Sequence, residues 1–417
     1  MLEYYVKDRF KLRQLRESPA GGQIDCFAGW LHSTGYKRRP AQLLLRGAAH
    51  LAHWVSIHKF AMDQIDQELF STFTHHLSKC ACTHAFQGRR PYHAEGAQRF
   101  VEHLQNRGIL PAVEAGSEPL PVLVEAFRDW MRCHRGVVET TLAQYVALAK
   151  EFVVALGEDP AVYNANRVRT FLFVRASHTG HSRAKSVVTT IRMFLRFLSV
   201  CGYCCPELVG AVPSIVQWRL SSLPRYISAQ NVEQLIMACD SASHEGSRDQ
   251  AILLLLARLG LRAGDVRNLC LKDIDWSQGR LRVVGKGRCE TWLPLPQDVG
   301  DAILHYLEHF RPTVDDDHVF LRVHAPLGHL LSSGPISKVV RRAIQRAGIQ
   351  TPSMGAHLLR HSAATEMLRQ GSTLDVIGAM LRHRSVESTA LYAKVDLALL
   401  RSVVQPWPGK GGPPCCK

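Results

Sequence analysis

The chain has 417 residues, is 46% hydrophobic and 21% charged, and carries 51 Lys and Arg against 36 Asp and Glu, a formal net charge of +15. This is the composition of a globular protein long enough for two or three domains, and it excludes a disordered or collagen-like chain. So large a basic surplus points to a polyanionic partner, nucleic acid before any other.

In chain order, residues 1–18 are charged from the start and hold no apolar signal core, and the longest apolar run, AILLLLA at 251–257, is far too short to span a bilayer. The expectation is a cytoplasmic, nucleoid-associated protein whose twelve cysteines are reduced thiols. Residues 27–60 carry apolar side chains three and four apart, the helical period, and residues 127–159 repeat that layout about a hundred residues on. Phe27 and Trp30 correspond to Phe127 and Trp130, and Phe100, Leu104 and Gly108 to Phe194, Leu198 and Gly202, which suggests a duplicated helical module. Between the copies, residues 111–121 have the composition of a linker.

Cys80, Cys82 and His84 cluster after His75 and His76, but a zinc site needs a second ligand pair, and the sequence offers none that convinces; the thiols are read as spectators and the chain as metal-free. Cys201, Cys204 and Cys205, at a helix end, are read the same way. Gly285, Lys286 and Gly287 do not make a phosphate-binding P-loop, since the earlier glycine and the following Ser or Thr are missing.

After a second break at 211–228 the pattern changes. Helices are expected around 231–240 and 247–260, then strand, glycine-bearing turn and strand over 279–296, then helices again from Ala302. This half carries the chemistry. Arg262 follows an apolar helix and Gly260, with Asp265 one turn on; Lys286 sits at the hairpin tip; His357 and Arg360 are three apart on one helix face; and His383 is followed nine residues later by Tyr392. His361 is set aside as a packed helix neighbour. Arginines, histidines and a lysine share one preference, for an anion. Two guanidiniums grip the non-bridging oxygens of a phosphodiester, a histidine adds a donor, and a tyrosine hydroxyl near cations and a base becomes a nucleophile that forms a covalent ester.

That ordered set, GLR at 260–262, GKG at 285–287, HLLR at 357–360 and LRH with Tyr392 at 381–392, resembles the tyrosine recombinase family, which includes phage integrases, Xer-type resolvases and transposon recombinases. The resemblance covers roughly residues 220–400, and residues 118–210 resemble the family's helical core-binding, SAM-like domain. It implies a mainly α fold with a small antiparallel sheet, divided as 1–112 (a helical module, read as a duplicated SAM-like domain), 118–212 (core-binding domain), 220–405 (catalytic domain) and 406–417 (tail). It implies a site-specific recombinase, working without cofactor or metal, that cleaves DNA through a 3′-phosphotyrosine, acts as a homotetramer on double-stranded recombination sites and serves a mobile element. It implies that Arg262, Arg360 and His383 hold the scissile phosphate, that His357 is the base, Lys286 the acid and Tyr392 the nucleophile. The chain departs from the family pattern twice: Arg382 stands where a glycine commonly precedes the second histidine, and Asp265 where Glu is usual. Alternatives are a type IB topoisomerase with the same chemistry and a non-catalytic DNA-binding protein. Beyond Tyr392, the residues from Leu397 to Val404 make an apolar stripe, expected to form a helix that docks on its own domain or on a neighbouring subunit.

Overall fold

The computed structural model describes residues 1–18, 20–80, 82, 90–111, 120–177, 179–215, 223–285, 290–383, 385–395, 400 and 404. Lys286, His84, most of the 111–121 linker, most of the stripe after Tyr392 and the tail from 405 lie outside them. The described residues are mostly helical, with one three-stranded antiparallel sheet in the order β1 (Ile274–Asp275), β2 (Arg280–Val284), β3 (Glu290–Pro294). Among them, no helix is long and apolar enough to cross a membrane.

The chain divides into two compact units, Ala112–Ser221 and a second made of Met1–Pro111 with Ser222–Lys417. The Ala112–Ser221 unit is a bundle of the helices Val122–Arg135, Glu139–Leu156, Ala165–Ser177 and His181–Val200, closed around Phe127, Phe152, Phe194 and Leu198. Phe127 stacks on Trp130 at 6.5 Å and meets Phe194 edge-on at 5.1 Å, while Trp130 lies 5.8 Å from Phe197. Residues 1–110 enclose their own core, and its centre has the same plan. Phe27 stacks on Trp30 at 5.7 Å, Phe27 lies 5.3 Å from Phe100, and Trp30 lies 5.7 Å from His103. Gly108 and Gly202, which end the last helix of each set, both have positive φ, +69° and +75°, the left-handed turn that glycine adopts without strain.

Residues 227–359 form the largest core. At its middle runs the helix His244–Arg258, whose residues Ala251 to Leu256 are all buried. A helical stretch that is apolar all round belongs inside, not on a face, which is why the AILLLL stretch of this otherwise polar helix is buried there. The helix predicted from Ala302 starts earlier, at Gln297, directly after Pro296. The helices Ala356–Arg369, Leu374–Met380 and Val386–Ala393 carry the end of the described chain around a small separate cluster that includes Ala364, Ile377, Leu381 and Tyr392. Thr373 and Ser385 cap the last two by accepting from the backbone N–H groups of Val376 and Glu387.

Candidate active site

Three backbone segments converge: the turn after helix His244–Arg258, the helix Ala356–Arg369, and the turn at 381–383 that leads into helix Val386–Ala393. Gly260 starts the first turn with φ +56°, the left-handed conformation that glycine adopts without strain, and a Cβ there would lie 2.5 Å from Leu381 Cδ2, which would have to shift. Arg360 is 4% exposed, and its guanidinium donates to the carbonyl oxygens of Gly260 and Leu381. Arg262 donates from Nη2 to the carbonyl oxygen of Arg382 at 3.1 Å. The two guanidiniums thus bolt the first turn to the third, and the third turn delivers His383.

His383 is held in turn. Its Nδ1 meets Thr389 Oγ1 at 2.7 Å, and its ring is parallel to that of Tyr392, 6.3 Å away at 3°. Tyr392 is 1% exposed. Its hydroxyl lies 2.8 Å from Nδ1 of His361, a residue sequence reasoning had set aside. The signal was present: on the helix Ala356–Arg369, His361 is one turn past His357 and next to Arg360, so all three share a face. What the sequence does not contain is the position of Tyr392, 31 residues on.

The electrostatics follow from burial among like charges. Burial first, then Arg262, lowers the Arg360 pKa to about 10. Burial, then Arg360 and Arg262, lowers that of His383 to about 4. Those of His357 and His361 are lowered for the same first reason, with Arg360 adding to it in both. These imidazoles are neutral at neutral pH and can accept a proton. Burial pushes the Tyr392 phenol up to about 12, and Arg360 works against that rise. The pocket is therefore a cationic cradle around a neutral phenol, and a bound anion would relieve the repulsion between the guanidiniums. Of the six residues singled out by sequence, five are brought together; Lys286 lies outside the described residues, although β2 and β3, which flank it, are paired up to Val284 and Glu290.

The two departures from the family pattern meet each other. Arg382 has φ +54°, which explains a common glycine there, and its Nη2 donates to Asp265 Oδ2 in an ion pair whose side chains are 8% and 9% exposed. The same carboxylate oxygen accepts from the backbone N–H of Arg262 at 3.0 Å. Asp265→Ala is expected to destabilise the protein by about 3–5 kcal/mol, because it leaves the Arg382 charge buried and unpaired. The double variant Asp265→Ala, Arg382→Gly should recover much of that loss. A urea-unfolding double-mutant cycle reads the coupling, and strictly additive losses would disprove it.

Comparisons by family model, by sequence and by structure agree with one another. The model of the phage integrase family matches residues 225–398. The protein described as integrase/recombinase y4rA of Sinorhizobium fredii is 35% identical over 98% of this chain and 100% of its own length, and the tyrosine recombinase XerD of Listeria monocytogenes is 27% identical over 67% of this chain and 96% of its own. Among solved structures, the XerH site-specific recombinase bound to palindromic difH substrate has a TM-score of 0.53 at 16% identity, covering 87% of this chain and 95% of that one; a lambda integrase dimer bound to a COC′ core site has 0.52 at 18%, covering 69% and 98%.

Proposed function

Since this chain belongs to the phage integrase family of tyrosine recombinases, a DNA strand-transferring enzyme of site-specific recombination, we propose the residues and the route by which it acts. Arg262, Arg360 and His383 hold the non-bridging oxygens of one phosphodiester. The Tyr392 hydroxyl attacks phosphorus, the bond to the 5′-oxygen breaks, and a 3′-phosphotyrosine forms. His357 takes the phenolic proton and Lys286 supplies one to the leaving 5′-oxygen. In the second step a 5′-hydroxyl from the partner strand attacks the same phosphorus and Tyr392 leaves. One ester bond is exchanged for another each time, so no nucleotide cofactor is consumed. Burial keeps the phenol neutral and His361 holds its hydroxyl in place until DNA arrives, and DNA binding has to bring the tyrosine out to the phosphate.

The observation that carries this reading is the placement of the Tyr392 hydroxyl beside neutral imidazoles and a buried guanidinium. The same reading makes 118–212 the core-binding domain and 1–112 a second copy of it, supported by the repeated aromatic centre. Its partner is double-stranded DNA carrying recombination sites, and its working form is a homotetramer, in keeping with the lambda integrase tetramer bound to a Holliday junction among the solved relatives in fold. Nucleoid association and service to a mobile element belong to the same proposal. Incubation with nicked duplexes taken from the ends of the DNA element that encodes this chain should give an SDS-resistant adduct without ATP, with the nucleotide on the tryptic peptide of Tyr392 by mass spectrometry. An adduct on another residue would overturn the assignment.

A further inference from the structure

Far from the recombinase residues in sequence, the core of residues 1–110 holds a second cluster of reactive side chains. His50 lies on helix Arg38–Ile57, His76 in the last turn of helix Gln67–Lys79, and Cys80 and Cys82 at and just beyond that helix's end. One ligand atom from each, two imidazole nitrogens and two thiol sulfurs, all lie within 4.8 Å of one another. His50 Nε2 is 3.4 Å from Cys80 Sγ, and His76 Nε2 is 3.4 Å from Cys82 Sγ. Tetrahedral zinc, with bonds of about 2.3 Å to sulfur and about 2.0–2.1 Å to nitrogen, sets its ligand atoms roughly 3.4–3.8 Å apart. We propose that His50, His76, Cys80 and Cys82 bind one structural Zn²⁺ ion.

The surroundings fit a metal better than they fit spectator thiols. Gly47 and Gly96 let the helices Arg38–Ile57 and Arg90–Asn106 touch: a Cβ on Gly47 would lie 2.5 Å from the carbonyl oxygen of His93. That approach puts Nδ1 of His50 3.3 Å from Nδ1 of His93, which is 4% exposed. In the tautomer where His50 Nδ1–H donates to His93 Nδ1, Nε2 of His50 is left as the lone-pair nitrogen facing the sulfurs, the outer-shell arrangement that fixes a metal-bound histidine. The backbone N–H of Cys82 donates to Cys80 Sγ at 3.3 Å, which fixes the position of that sulfur. Phe73 meets His50 edge-on at 5.5 Å and Trp54 lies 6.0 Å from His76, so the rings are packed in place.

Two thiolates offset the charge of the ion, and binding releases the two thiol protons. Soft sulfur with imidazole in a tetrahedral set selects zinc over the oxygen-loving cations. Four protein ligands leave no open position, so the role is to staple the end of helix Gln67–Lys79 to helix Arg38–Ile57, not to catalyse. By contrast, the other candidate cluster among the described residues, Asp316 with His318 and His329, is already satisfied: both carboxylate oxygens accept from a ring Nδ1 and a backbone N–H.

The test uses the full chain, purified without a metal-affinity column. Elemental analysis should find about one zinc per chain. Exchange with Co²⁺ should give visible d–d bands and near-ultraviolet thiolate-to-cobalt charge transfer. Cys80→Ser with Cys82→Ser should lose the metal and both signatures, while Cys201→Ser with Cys205→Ser should keep them. Zinc-free protein that takes up no Co²⁺ with charge transfer would overturn the proposal, as would full zinc occupancy in the Cys80, Cys82 double variant. The cobalt spectrum of the unmutated chain decides the matter if that variant does not fold.

Discussion

Tyr392→Phe is expected to abolish covalent capture of DNA, by at least about a thousand-fold, while site affinity stays within a few-fold of the parent. The substitution removes one oxygen, and that oxygen has a single described partner, Nδ1 of His361. Losing one hydrogen bond to a neutral ring costs about 1 kcal/mol, and the apolar ring of Phe keeps the packing against Ile377 and Leu381. Folding therefore survives. Affinity rests on many phosphate contacts by a chain of net charge +15, so a single hydroxyl contributes little to it. The chemistry cannot survive, because the attacking atom is gone. Adduct formation on a nicked duplex, read by denaturing gel beside a native-gel binding titration, separates the two effects. A Phe variant that still became DNA-linked would place the nucleophile elsewhere.

Arg360→Ala is expected to be the more damaging change, because it removes a structural bolt and a phosphate ligand at once. The guanidinium is the described partner that ties the carbonyl oxygens of Gly260 and Leu381 together, and each oxygen left buried without a donor costs about 1–3 kcal/mol. The unfolding midpoint should fall clearly. Cleavage should fall by at least about two to three orders of magnitude beyond that, since a donor aimed at the developing charge on phosphorus is lost. Arg360→Lys separates the two roles. An ammonium keeps the charge but not the fork that reaches two carbonyls and a phosphate together. Stability should return in part, cleavage hardly at all, when both are measured at a temperature where each variant is folded. Parental cleavage by a folded Lys variant would remove Arg360 from the phosphate site.

The periodicity of the sequence made most helices legible, because a helix that buries one stripe must place apolar residues three and four apart. Two strands of the sheet were legible too: residues 279–296 read as strand, glycine-bearing turn and strand, and β2 and β3 pair there, whereas the two-residue β1 (Ile274–Asp275) is too short to leave a period in the sequence. What escaped was contact between distant residues. His361 looked idle because its partner is 31 residues away, and Asp265 and Arg382 looked like two separate departures until a turn crossing 117 residues paired them.

The thiol cluster shows the boundary most clearly. By itself the sequence determined that Cys80 and Cys82 sit near His76, and that His76 and Cys80 are one helical turn apart. It could not supply the fourth ligand. His50 lies 30 residues from Cys80, and its nearness is decided by the helix contact at Gly47 and Gly96, where the absence of side chains lets two backbones meet. The recombinase residues divide the same way. Their types, order and spacing are properties of the chain, since each chemical role demands its own side chain. Their convergence is a property of the fold, since one buried and one half-buried guanidinium can be held close only where fixed carbonyl oxygens accept their protons, and those oxygens come from turns more than a hundred residues apart.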